Sequence, residues 1–244
     1  MLIGTDVPEE EIKRQIRNSY DLIKPKGEET EMTNIKTGQI GAAVTGVSTA
    51  AFAFAMITGL ATGADTSAVS YFVCIFIAVG YVMFSASVVA PTKERQLTAT
   101  GLVGLAFAVV YVLLIIIVYY SMLTTVRMNG GSLSEETLSI ISYNHLGSLF
   151  FNYDLLGYGF MGLSTFFIGF SIMPRTKGDR ALRVLLRIHG VFFVSCLIMP
   201  MFPIFTAEME GGEIIGTLAL VAWSAYYLPV CILGWRYFRK EQSD

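Results

Sequence analysis

Gln96-Leu97-Thr98-Ala99-Thr100-Gly101-Leu102-Val103-Gly104-Leu105-Ala106-Phe107-Ala108-Val109-Val110-Tyr111-Val112-Leu113-Leu114-Ile115-Ile116-Ile117-Val118-Tyr119-Tyr120-Ser121-Met122-Leu123-Thr124-Thr125-Val126 runs for thirty-one residues without a Lys, Arg, Asp or Glu. A helix needs roughly 20 apolar residues to cross a bilayer. This stretch is long enough and is closed by aromatic residues of the kind that sit at a membrane interface. Similar charge-free runs occupy Thr37–Ala64, Thr66–Thr92 and Ile188–Ala207. The whole chain of 244 residues is 54% hydrophobic and 15% charged, against about a quarter charged in soluble domains. Barrel strands would show short alternating segments instead, and these are absent. The expected fold class is all-α, a polytopic transmembrane helical bundle.

Six spans are expected, over 38–62, 68–90, 98–122, 147–173, 182–205 and 214–236. Residues 1–37 form a cytoplasmic amphipathic helix and linker, 38–236 the transmembrane domain and 237–244 a cytoplasmic tail. Orientation follows from the basic residues. With both termini cytoplasmic, every Lys and Arg except Arg127 lies on the inner side or at an inner span end, 16 of 17. The positive-inside rule predicts that sorting and the inverse topology violates it. The expected location is the inner or plasma membrane, with multiple passes.

The fourth span departs from the pattern. Asn144 to Arg175 is long and apolar but carries a carboxylate, Asp154, in its first turns. Ionisable groups in hydrocarbon are costly and by default mark a buried or functional position. Read as a helix, Asp154, Tyr158, Gly162, Thr165 and Gly169 share one stripe. A polar, small stripe should face the protein interior. Two readings compete for Asp154: a structural carboxylate held by hydroxyls, or a site for a cation, proton or ligand amine. Gly157 and Gly159 are expected to loosen the helix around Tyr158.

Counting depth along the helices brings Tyr119, Tyr120, Pro200, Pro203 and Thr217 to the level of Asp154. Above them, Glu208, Glu210 and Glu213 make an acidic outer turn that would favour cations. On the inner side, Arg183 and Arg187 stand one turn apart, placed to reach lipid phosphates or a phosphorylated ligand. His189 reads as a hydrogen-bonded packing residue, with a relay as the rival. In the outer loop, Ser132-Leu133-Ser134-Glu135 matches a capping box. Gly38, Ala42 and Gly46 form a ridge of small residues that suits close helix packing, within the chain or in a homo-oligomer. Near the N-terminus, Ile12, Ile16, Tyr20 and Ile23 follow at helical spacing beside Lys13, Arg14 and Arg17, on the membrane surface or against a protein partner.

Cys74, Cys196 and Cys231 have no metal spacing and read as small apolar residues. Motifs for hydrolysis, phosphate loops or metal clusters are absent from the sequence, so no cofactor or metal is expected. The short basic turns exclude nucleic-acid binding.

Asp154-Leu155-Leu156-Gly157-Tyr158-Gly159-Phe160-Met161, within Leu149–Phe170, resembles a group of uncharacterised small polytopic membrane proteins of bacteria and archaea. The preceding Tyr119-Tyr120-Ser121-Met122-Leu123-Thr124-Thr125-Val126-Arg127 is similar to the end of their third span. The resemblance implies a prokaryotic inner-membrane protein and transfers no activity. The leading functional expectation is an outward-facing small-molecule or cation binding or permeation site around Asp154, in a transporter, channel-like protein or sensor. The alternatives are a non-transporting membrane subunit for signalling or complex assembly, and third an integral-membrane enzyme.

Overall fold

A computed structural model describes residues 10–15, 27–92, 95–129, 131–202 and 212–241, with the backbone alone at 27–29, 212–213 and 241. Every regular element among them is helical. The helices are α1 (Gly27–Thr62), α2 (Ser67–Val89), α3 (Ala99–Ser121), α4 (Glu135–Ile141), α5 (Leu149–Ile168), α6 (Lys177–His189), α7 (Val191–Ile198) and α8 (Gly212–Glu241). Five helical stretches are long and apolar enough to cross a membrane: Thr30–Thr62, Ser67–Val89, Ala99–Asn129, Lys177–Met201 and Ile214–Lys240. The protein has the make-up of a multi-pass membrane protein. The expected fourth span forms a helix, α5, but is less apolar than those five, because Asn152, Asp154, Ser164 and Thr165 interrupt its Leu and Phe.

The helices pack as a closed circuit. α1 lies on α2, α2 on α3, α3 on α5, α5 on α6 and α7, and α8 joins α6 back to α1. Glycines set the register. A side chain at Gly104 would meet Ile168, and one at Gly157 would meet Ile115. α5 therefore runs antiparallel to α3 along most of its length. Gly159 faces Cys196 and Phe193, and Gly162 faces His189 and Phe193, so α7 is antiparallel to α5 in turn. The ridge Gly38, Ala42, Gly46 works within the chain: Gly38 abuts Phe238 and Gly46 abuts Cys231 of α8.

Several boundaries differ from expectation. The later part of the expected helix and linker over 1–37 is already helical from Gly27, continuous with the first span, and Ile35 is buried in the core. Glu10–Gln15 is helical, with Arg14 paired to Glu11 at 2.9 Å, and Ile12 is exposed. Ile16, Tyr20 and Ile23 lie outside the described residues. The fifth span breaks at Gly190, which Phe166 approaches so closely that a side chain would collide with it. It ends in a 3-10 turn around Pro200, and Pro203 lies outside the described residues. α4 is capped by Ser134, whose hydroxyl accepts from the Thr137 amide, rather than by Ser132. Glu135 is then the first helical residue, where an acidic side chain suits the positive helix end. Beyond Ser121, α3 continues through a π-helical segment, Met122–Val126, into a last turn at Arg127–Asn129.

Candidate functional site

α5 starts where Ser148 caps it, its hydroxyl accepting from the Phe151 amide at 3.2 Å. That start fixes the phase of the helix. Asp154, Gly162, Thr165 and Gly169 are then buried and Tyr158 is half-buried, so the polar stripe does face inward. Asp154 retains 4% of its exposure, its Oδ1 has no hydrogen-bond partner, and it makes no ion pair among the described residues.

What surrounds the carboxylate is aromatic and hydroxylic. Tyr71 of α2 and Tyr119 of α3 stack with centroids 5.4 Å apart, and Tyr143 of the α4–α5 loop stands edge-on to Tyr71 at 5.6 Å. The hydroxyls of Tyr119 and Tyr143 are the polar groups near the Asp154 carboxylate. Tyr71 is oriented from outside this cluster, donating to Asn144 Oδ1 at 2.6 Å. One turn deeper, the Tyr158 hydroxyl lies 3.7 Å from Cys74 Sγ, and the Tyr158 ring meets Tyr111 and Trp223 edge-on. The Tyr111 hydroxyl is also buried, with no hydrogen-bond partner among the described residues.

Below this sits His189, and its bonds fix its role. Trp223 Nε1–H can only donate, and it reaches His189 Nε2 at 3.0 Å. Nε2 is thus the acceptor, and the ring proton is on Nδ1, which faces Thr165 Oγ1 at 2.9 Å. The Thr165 hydroxyl spends its own hydrogen on the Gly162 carbonyl at 2.7 Å. Both ring nitrogens are satisfied with the ring neutral. His189 is a packing residue that ties α5, α6 and α8 together.

The residues singled out in the sequence divide. Asp154, Tyr158 and Tyr119 are brought together. Tyr120 is 61% exposed on the outer side of α3, where a belt position suits it. Thr217 lines a different cavity, of about 360 Å³, with Met56, Leu60, Asp65 and Thr66, at the α1–α2 turn. Glu208 and Glu210, and the side chain of Glu213, lie outside the described residues. Arg183 and Arg187 are at the far end: Gly169 of α5 abuts Arg187, fifteen residues from Asp154, or about 22 Å of helix. The glycines beside Tyr158 do not loosen α5. They let α3 and α7 approach it.

Tyr71, Cys74, Tyr111 and Tyr143 complete the surroundings and were not singled out. Tyr71, Cys74, Ala78, Tyr81 and Ser85 recur at spacings of 3 and 4, a signal for one buried face of α2. Tyr143 had no such signal, because its contact depends on where a loop folds back. Among the described residues no three of His, Cys, Asp and Glu converge on one point.

No protein family model matches the chain, and no curated protein or solved structure matches it.

An ionised carboxylate out of water with no countercharge is strongly unfavourable. Its charge must be balanced by a proton or by a small cation. Tyrosine hydroxyls serve either case, donating to the carboxylate or offering lone pairs beside it.

Proposed function

We propose that the protein crosses the inner or plasma membrane six times, with both termini cytoplasmic, and holds an occluded proton or small-cation site at Asp154. The site serves binding and permeation in a transporter, channel-like protein or sensor. The observation that carries this reading is a buried carboxylate that, among the described residues, lacks both an ion-pair partner and a hydrogen bond to Oδ1, with Tyr119 and Tyr143 beside it. A carboxylate kept for packing alone would be expected to have its acceptors filled, as Asp179 does by accepting from the Arg175 and Thr176 amides. Six crossings are supported by α5, whose 20 residues give about 30 Å. It runs alongside α3 from the level of Gly104, against Ile168, to that of Ile115, against Gly157. The cavity at the α1–α2 turn is lined without Asp154.

The test is thermal unfolding of the full chain in nanodiscs, with Na⁺, K⁺ and pH varied separately. Anything bound to the folded state raises stability by mass action. Wild type should gain stability with one of these variables, and Asp154→Asn should fold and lose that dependence. Retention of the dependence by Asp154→Asn, or its absence from wild type, overturns the proposal. Dye-reported ion flux in proteoliposomes then separates carrying from sensing.

A further inference from the structure

At the opposite end of the bundle from Asp154, α6 presents Arg183 and Arg187 on one flank. The Arg187 guanidinium lies over the Phe170 ring at 3.9 Å, which fixes its plane against the end of α5. Its Nε and Nη2 are shielded from solvent and have no acceptor among the described residues, and the same holds for Arg183 Nε. Nε and Nη2 form the side-on edge of a guanidinium, the fork that meets two oxygens of a phosphate or carboxylate. Arg183 stands one turn before Arg187 on the same helix. Two like charges held together with open donors call for an anion.

Among the described residues the protein does not supply one from nearby. Asp179, one turn before Arg183, is buried and committed. Its carboxylate accepts from the Arg175 and Thr176 amides at 3.1 and 2.8 Å and faces Lys240 Nζ at 3.9 Å. Val184, Ile188 and Val191, beside the two arginines, are exposed and apolar, as a lipid-facing surface would be. Lys177 and Arg180 continue the basic charge toward the helix start.

We infer that Arg183 and Arg187 form a binding site for a phosphate group, with the Arg187 fork on two of its oxygens and Arg183 completing the charge. A phospholipid headgroup and a soluble phosphate share this chemistry. The site is independent of the one at Asp154, about four turns of α5 away.

Two arms separate the sources. In the first, the full chain is unfolded thermally in nanodiscs of phosphatidylglycerol and of an uncharged galactolipid without phosphate. In the second, inorganic phosphate is titrated into the protein in a neutral detergent. Wild type should melt several degrees higher in the phospholipid, and Arg183→Gln/Arg187→Gln should lose more than half of that difference while melting unchanged in galactolipid. Stabilisation by inorganic phosphate, lost in the double variant, would support the site with a soluble occupant. Arg187→Lys keeps the charge without the fork. It should bind phosphatidylglycerol roughly tenfold more weakly by native mass spectrometry, the scale of one charged hydrogen bond. The inference fails if the double variant keeps the full lipid difference, if wild type responds to neither phosphate source, or if Arg187→Lys binds as wild type does.

Discussion

Arg95 carries a full charge into a position where 5% of its surface remains exposed, and its guanidinium is met on every nitrogen. Nε donates to the Ala90 carbonyl at 3.1 Å, Nη2 to Ser87 at 3.0 Å and Nη1 to the Tyr237 hydroxyl at 2.9 Å. The two carbonyls belong to the end of α2, where backbone acceptors lack helical donors and the dipole favours a cation. One side chain thus caps α2 and pins it to α8. Arg95→Leu should cost about 2–3 kcal/mol by stranding those acceptors, and Tyr237→Phe about 1 kcal/mol. Thermal unfolding in one fixed detergent checks the order; equal effects would mean that Tyr237 and not the cap carries the contact. Asp154 is the converse case, buried to a similar degree but with its Oδ1 unmet by any hydrogen bond among the described residues. The sequence placed Asp154 inward because a stripe of spacing 4, 4, 3, 4 is a direction as well as a period. It could not choose between Tyr119 and Tyr120. Depth counting puts both at one level, whereas neighbours on a helix point about 100° apart, and here 3% and 61% of their surfaces are exposed.

Two glycines decide how α1 and α2 meet. An added Cβ at Gly41 would come within 2.5 Å of the Phe84 amide nitrogen, and one at Gly80 within 2.7 Å of the Thr45 nitrogen. The obstacles are backbone, which does not rotate away, so the helices here touch main chain to main chain. Gly41→Ala should cost about 1–3 kcal/mol, as overpacking does. Gly216, a helical glycine of α8 with nothing within 4 Å, is the control. There Gly→Ala should be neutral or stabilise by up to about 1 kcal/mol. Denaturation of the two variants in the same detergent checks the contrast, and matching losses would refute the close crossing. The ridge Gly38-Ala42-Gly46 was legible as a face of small residues, and it does seat α8. Gly41 is off that ridge and faces α2, on a second stripe of small residues with Thr45 and Thr49. The break at Gly190 was hidden. An apolar run reads as one helix until a neighbouring side chain, here Phe166, occupies the place where a Cβ would stand.

Among the described residues, basic charge is gathered toward one end of the bundle. Lys36, Arg95, Lys177, Arg180, Arg183, Arg187, Arg236, Arg239 and Lys240 lie there, with Glu31 and Asp179 among them, and Asp65, Glu135 and Glu136 lie toward the other end with Arg127. A bilayer with an anionic inner leaflet holds such a molecule one way round. The parity of that arrangement rests on α5. If it crosses, the α4 loop and the α5–α6 turn are on opposite sides; if it lies in the interface, they share one. The antiparallel register of α5 against α3 favours crossing, whereas its polar residues are the reason that length and composition alone give five spans. Impermeant maleimide labelling of intact cells decides between them. Cys74, Cys196 and Cys231 are buried, so single cysteines can be added to the natural chain. Glu136→Cys in the exposed face of α4 should react from outside, while Gln15→Cys and Lys177→Cys should react after permeabilisation alone. Labelling of Lys177→Cys on intact cells together with Glu136→Cys would remove the fourth crossing. Asp154 would then lie among tyrosines at the membrane surface, where a carboxylate has water within reach and needs neither proton nor cation to be stable.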